Sequence, residues 1–119
     1  MKIAIFGVGF LGGKLVEFFS KRCNVVSADI FPRSNLVHKI DATNIEEIEN
    51  FLFLERPDIV ISTIALSSYF ICENDPKLCR KLNFQSAEYI AQACKAIKAK
   101  MIFISSSYIF DGEKGEYTE

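Results

Sequence analysis

Met1-Lys2-Ile3-Ala4-Ile5-Phe6-Gly7-Val8-Gly9-Phe10-Leu11-Gly12 is the stretch that decides the fold. Its first six residues read as a short buried strand running directly into a G-x-G-x-x-G turn. A helical pattern follows at once, with Leu11, Leu15, Phe18 and Phe19 at i, i+4, i+7 and i+8. Alone, such a glycine pattern carries little weight. Between an N-terminal strand and an amphipathic helix it predicts a dinucleotide-binding βαβ unit. Gly7 lets the chain turn out of the strand, Gly9 leaves room for a pyrophosphate, and Gly12 lets the helix pack close to the strand. The helix N-terminus, at Phe10 and Leu11, adds unpaired N–H groups and a positive dipole end. The plainer alternative is a tight strand–helix turn with no ligand.

Working outward, residues 24–29 read as a second strand, and Asp29 lies 22 residues after Gly7. A carboxylate at that place binds the adenosine ribose hydroxyls and opposes a 2′-phosphate. Two like charges about 4 Å apart at an effective dielectric near 20 repel by roughly 4 kcal/mol. NAD is therefore favoured over NADP, although Arg33 would pair with a 2′-phosphate and keeps NADP open. Asp29 also admits a ligand-free reading, as a strand-end residue opening the turn at Phe31-Pro32-Arg33-Ser34.

Residues 36–40 form a short third strand, and its lone His38 reads as a surface or edge residue. Thr43-Asn44-Ile45-Glu46 has the form of a capping box, which starts a helix at Asn44, and Pro57 ends it. Residues 58–64 are nearly all apolar, as expected of a central parallel strand. Residues 65–74 read as a loop. Asp75-Pro76 then opens a long helical region to about Lys98, with Asn83-Phe84-Gln85 at a join that would kink it. Residues 100–105 make a fifth strand, and the tail from Tyr108 to Glu119 is turn-rich. Strand–helix alternation predicts one α/β domain over residues 1–119. It would be a doubly wound parallel sheet of the Rossmann type in the order 3-2-1-4-5, with its crevice at the carboxyl ends of strands 1 and 4.

Half of the 119 residues are apolar, with 11 Phe, which is greasy for a small domain. The net charge of −1 and the lack of a basic run argue against nucleic acid or an acidic membrane as partner. No apolar run approaches bilayer length. The first residues carry a glycine fingerprint where a signal peptide would carry a small-residue cleavage site. A cytoplasmic location is expected, with Cys23, Cys72, Cys79 and Cys94 as reduced thiols. With one His and no C-x-x-C pair, the sequence gives no metal site.

Later residues resemble the extended short-chain dehydrogenase/reductases, closest to the dTDP-4-dehydrorhamnose reductase group. The most specific stretch is Ile104-Ser105-Ser106-Ser107-Tyr108-Ile109-Phe110-Asp111-Gly112, followed by Gly115, Tyr117, Thr118 and Glu119. Arg56-Pro57-Asp58-Ile59-Val60-Ile61 and Asn83 support it. The likeness covers the whole chain but only the N-terminal part of such an enzyme, without the substrate-binding C-terminal part. It implies a cofactor set of Gly7, Gly9, Phe10, Leu11, Gly12, Asp29, Ile30, Arg33, Asp41, Ala42, Thr63, Ile64, Ala65 and Ser105. Asp41 and Ala42 would lie near the adenine, and residues 63–65 near the nicotinamide ribose. Ser106 would hydrogen-bond the substrate carbonyl as the catalytic Ser, and Tyr108 would sit beside the substrate, a nucleotide sugar.

Two departures matter. The family usually carries G-x-x-G-x-x-G, so the turn here is one residue shorter. The family's proton donor is the Tyr of a Tyr-x-x-x-Lys pair; the residues four past Tyr69, Tyr89 and Tyr108 are Glu73, Ala93 and Gly112, and the chain stops two residues after Tyr117. Hydride transfer to a ketone needs a proton for the developing alkoxide, so this chain is expected to be inactive alone. The alternatives are a non-catalytic regulatory or interaction subunit, or a split enzyme completed by a partner chain. An open edge on strand 5 and bare apolar faces would favour a homodimer or partner chain, unless residues 108–119 fold back over that edge.

Overall fold

The computed structural model of the chain describes residues 1–106 and 111–118. Its elements alternate: strand β1 (Lys2–Phe6), helix α1 (Phe10–Ser20), β2 (Asn24–Asp29), β3 (Val37–Lys39), α2 (Ile45–Glu55) and β4 (Ile59–Ser62). Two short helices, α3 (Tyr69–Asn74) and α4 (Pro76–Arg80), lead through a π-helical turn at Lys81–Gln85 into α5 (Ser86–Ile97) and β5 (Lys100–Phe103). The strands form one parallel sheet in the order β3-β2-β1-β4-β5, the predicted doubly wound Rossmann topology.

The pleat of β1 explains why the sheet is covered on both faces. Ile3 and Ile5 point to one side and meet Leu15, Val16 and Phe19 of α1. Ala4 and Phe6 point to the other, among Ile48, Phe51 and Leu52 of α2 and Ile90, Ala93 and Cys94 of α5. Phe6 meets Phe51 edge to face, with ring centroids 5.5 Å apart. A strand buried on both faces is apolar throughout, which is why residues 3–6 show no polar alternation. Burial pushes the Cys94 thiol up to about 11, so it is a small apolar core residue.

Helix ends follow local chemistry, with one shift. The cap of α2 is Asn44, one residue past the expected Thr43. The Asn44 side chain accepts from the N–H groups of Glu46 and Glu47, while Thr43 turns its N–H and hydroxyl onto Asp41 at 2.8 Å each. Arg56 ends α2 in the left-handed region at φ 46°, just before Pro57.

The stretch read as a loop, residues 65–74, holds the larger surprise. Ser68 caps an unforeseen helix there, α3, by accepting from the Ile71 N–H. Asp75 caps α4 with Pro76 at its first position, as expected. The kink foreseen at residues 83–85 is the π turn at Lys81–Gln85. The short α3 brings Cys72 opposite Cys79, with their Cα atoms 5.0 Å apart and a disulfide between them. Two of the four expected reduced thiols are therefore paired: a pairing between two helices depends on how they fold against each other, which cysteine spacing does not reveal. Cys23 and Cys94 are free thiols. No helix among the described residues is long and apolar enough to cross a membrane.

Candidate functional site

The register levels the carboxyl ends of three strands. Phe6 of β1 lies opposite Ala28 of β2 and Ser62 of β4. β1 is the point from which the chain winds to either side, so a crevice opens above its end. It is a cleft of about 230 Å3. Gly7 and Gly9 line it from the glycine turn, Asp29 and Ile30 from the end of β2, Asp41 and Ala42 from beyond β3, and Thr63, Ile64 and Ala65 from beyond β4.

The three glycines of the turn do different work. Gly7 has φ +86°, and a Cβ there would lie 3.1 Å from the Ile64 N and the Thr63 Oγ1. Its backbone is fastened on both sides, by its N–H to the Ala28 carbonyl at 2.9 Å and by its carbonyl to the Thr63 hydroxyl at 2.7 Å. Gly12 is buried where α1 crosses the turn, and a Cβ there would fall 1.8 Å from the Gly7 oxygen. Gly9 differs from both: nothing lies within 4 Å of where its Cβ would be. The fold has no steric need for glycine at that position, yet Gly9 faces the cleft and caps α1. A free approach to the α1 N-terminus suits an anionic group such as a pyrophosphate, so these residues fit a dinucleotide.

Asp29 braces the turn from the side. Its Oδ2 accepts from the Val8 N–H at 2.7 Å, and its Oδ1 accepts from the Phe31 N–H at 2.9 Å. Each carboxylate oxygen retains a lone pair for a ligand hydroxyl. Across the cleft, the Asn83 side chain grips the main chain of Leu66. Its Oδ1 accepts from the Leu66 N–H at 2.6 Å, and its Nδ2 donates to the Leu66 carbonyl at 3.1 Å. Neighbouring Ala65 and Leu82 complete the far wall.

Nine of the fourteen sequence-selected cofactor residues thus meet around one cleft. The others sit elsewhere. Gly12 lies beneath the turn. Phe10, 90 % exposed, and Leu11 point outward from the first turn of α1 and do not line the cleft. Arg33 and Ser105 are exposed and do not line the cleft, and the same holds for the catalytic candidate Ser106. Tyr108 lies outside the described residues. Phe6, Ala28, Ile40 and Leu82 line the cleft but were not selected. The first two were findable as the last inward-facing positions of β1 and β2. Leu82 carried no signal beyond an apolar helical stripe.

A parallel 3-2-1-4-5 sheet with a glycine turn at its switch point defines a Rossmann-type α/β protein. Within that class the chain belongs to the RmlD substrate binding domain family, whose model matches residues 1–119. It is 28% identical over 107 residues to the dTDP-4-dehydrorhamnose reductase of Streptomyces griseus, covering 90% of this chain and 33% of that protein. It is 25% identical over 120 residues to the methionine adenosyltransferase 2 subunit beta of Rattus norvegicus, covering 99% of this chain and 36% of that protein. The chain therefore spans about a third of the length of these relatives. Among solved structures, a hypothetical dTDP-4-dehydrorhamnose reductase from Sulfolobus tokodaii superposes with a TM-score of 0.89 at 33% identity, over 100% of this chain and 44% of that one. The Bacillus anthracis dTDP-4-dehydrorhamnose reductase, solved in complex with NADP, gives 0.85 at 27% identity, over 97% of this chain and 39% of that one.

Proposed function

We propose that this chain binds a nicotinamide dinucleotide in the cleft above β1, as the cofactor-binding part of a nucleotide-sugar reductase. The observation that carries this is the contrast at the turn: Gly7 and Gly12 have no room for a side chain, while Gly9 has open space and still faces the cleft. The α1 N-terminus would hold the pyrophosphate and Asp29 the adenosine ribose. Asp41 and Ala42 would border the adenine, and residues 63–65 would run beneath the nicotinamide ribose. The bound dinucleotide would supply the hydride. Ser106 would steady the substrate carbonyl and Tyr108 would flank it.

Asp29 favours NAD over NADP by like-charge repulsion of a 2′-phosphate. Calorimetry with NAD+, NADH and NADP+ side by side tests both statements. Binding that Gly9→Val abolishes, and an Asp29→Ala variant that loses the bias against NADP, are expected. Equal behaviour of wild type and Gly9→Val would make the glycine turn purely structural, and an unchanged NAD-to-NADP ratio would remove Asp29 from the site.

No Tyr within residues 1–119 is followed four residues later by Lys. Lack of a general acid commonly costs about 10²–10⁴-fold in rate. A polypeptide of these 119 residues should accordingly show no appreciable turnover of dTDP-4-keto-6-deoxy sugars with NADH. Robust turnover that Ser106→Ala eliminates would overturn this. The likeness to a methionine adenosyltransferase subunit favours a second reading as a regulatory or interaction subunit that keeps the fold. A reading frame that continues past codon 119 into a Tyr-x-x-x-Lys pair would count against that second reading.

A further inference from the structure

The Cys72–Cys79 disulfide lies against the far wall of the cleft. Cys79 Sγ accepts from Asn83 Nδ2 at 3.3 Å, and Cys72 Sγ lies 3.7 Å from the Leu66 carbonyl oxygen. The two sulfurs thus pack on the two ends of the Leu66–Asn83 clamp. Ala65 and Leu82, which line the cleft, are the chain neighbours of the clamp residues. Among the described residues little else holds this segment. Neither α3 nor α4 buries a residue, and Tyr69 and Phe70 are 78% and 76% exposed. Helices of six and five residues are too short to persist on propensity alone. Segments with few buried contacts open locally before the rest of a fold.

We propose that the Cys72–Cys79 disulfide is a redox-controlled latch on the cleft wall, whose reduction loosens residues 65–85 and weakens dinucleotide binding. The ligand part rests on the cofactor reading above; the latch itself does not. The chemistry is thiol–disulfide exchange. A dithiol reductant attacks one sulfur of the pair as thiolate, forming a mixed disulfide and releasing the other sulfur. Its second thiol then displaces the remaining cysteine. Cys72 and Cys79 gain two electrons and two protons and become thiols, and the reductant becomes a disulfide. Both cysteines are half-buried rather than sealed in the core, so a small dithiol can reach them. In the reduced state Asn83 loses the fixed sulfur beside its amide, and α3 and α4 are no longer tied.

The test compares oxidised, dithiothreitol-reduced and reoxidised protein with the Cys72→Ser/Cys79→Ser double variant. Amide hydrogen exchange reads residues 65–85, with β1 as internal reference, and calorimetry reads NAD+ and NADH. Reduction should speed exchange in residues 65–85 at least tenfold while β1 is unchanged. It should weaken dinucleotide binding about tenfold, and reoxidation should restore both. The double variant should match the reduced wild type and ignore the reductant. Equal exchange in the two redox states overturns the latch, as does a double variant that still responds to dithiothreitol. Faster exchange with unchanged affinity overturns control of the cleft. Absence of dinucleotide binding in every state overturns the cofactor reading and, with it, the ligand part, while the exchange arm continues to read the latch.

Discussion

The two walls of the cleft are built on different principles. The near wall is the glycine turn between β1 and α1, where adjacent residues supply everything and the backbone fits tightly. Gly7 is fastened to β2 and to Thr63, and Gly12 touches Gly7. The far wall, residues 65–85, is two short exposed helices and a π turn, secured by one side-chain clamp and one disulfide. The first wall is rigid because the core stands directly under it. The second depends on two side-chain ties within its own segment and is the side on which access can be changed.

The strongest way to break this contrast is Gly12→Ala. With a Cβ 1.8 Å from the Gly7 oxygen, α1 must shift from the turn, and a loss of about 3 kcal/mol or more is expected in chemical denaturation. Gly9→Ala is its control: with open space at that position, stability should change by about 1 kcal/mol or less, the cost of a poorer N-cap. Similar losses in the two variants would show that the turn does not divide into a packed part and a ligand-facing part.

Cutting the disulfide ranks next. Removing a cross-link around so short a loop costs about 2.5 kcal/mol by loop entropy, read in amide exchange as easier opening of residues 65–85 in Cys72→Ser/Cys79→Ser while the denaturation midpoint of the core is kept. A lowered midpoint of the whole fold would mean that the far wall and the core unfold together. Asn83→Ala should follow, at about 1–2 kcal/mol, because it strips partners from the Leu66 N–H and carbonyl. Exchange at the Leu66 amide should rise while the β1 amides stay protected. A change in β1 would show that the two walls are coupled.

The smallest effect concerns the core beneath the near wall. The folded Cys94 thiol is pushed up to about 11 by burial, from an ordinary value of 9.0. Folding therefore favours the neutral thiol. Its contribution is complete below pH 9 and is lost as the pH rises toward 11. Between pH 9 and pH 10 the loss is about 1 kcal/mol. Cys94→Ala should remove that decline relative to wild type; parallel stability curves would show that Cys94 is not held in the apolar core.

The near wall was legible in the sequence because its determinants are contiguous or periodic. The G-x-G-x-x-G turn carries its own local signal, as do the apolar run of β4 and, within the far wall, the Asp75-Pro76 start of α4. Asp29 was placed at the end of β2 by spacing alone, but its grip on the Val8 N–H was not visible until β2 lay beside β1. The shift of the α2 cap from Thr43 to Asn44 shows the limit of a local motif, since Asp41 competed for Thr43.

By itself, then, the sequence determined the order of the strands and of the helices other than α3, the glycine turn and the winding of the sheet, because hydrophobic period and backbone freedom act over a few residues. Tertiary structure decided what those elements meet. It set Asn83 on Leu66 across 17 residues, paired Cys72 with Cys79 between two short helices, and turned Leu82 toward the cleft while leaving Arg33 outside it. Such contacts carry no signature in the chain, because each depends on where separate elements come to rest and not on the residues beside it.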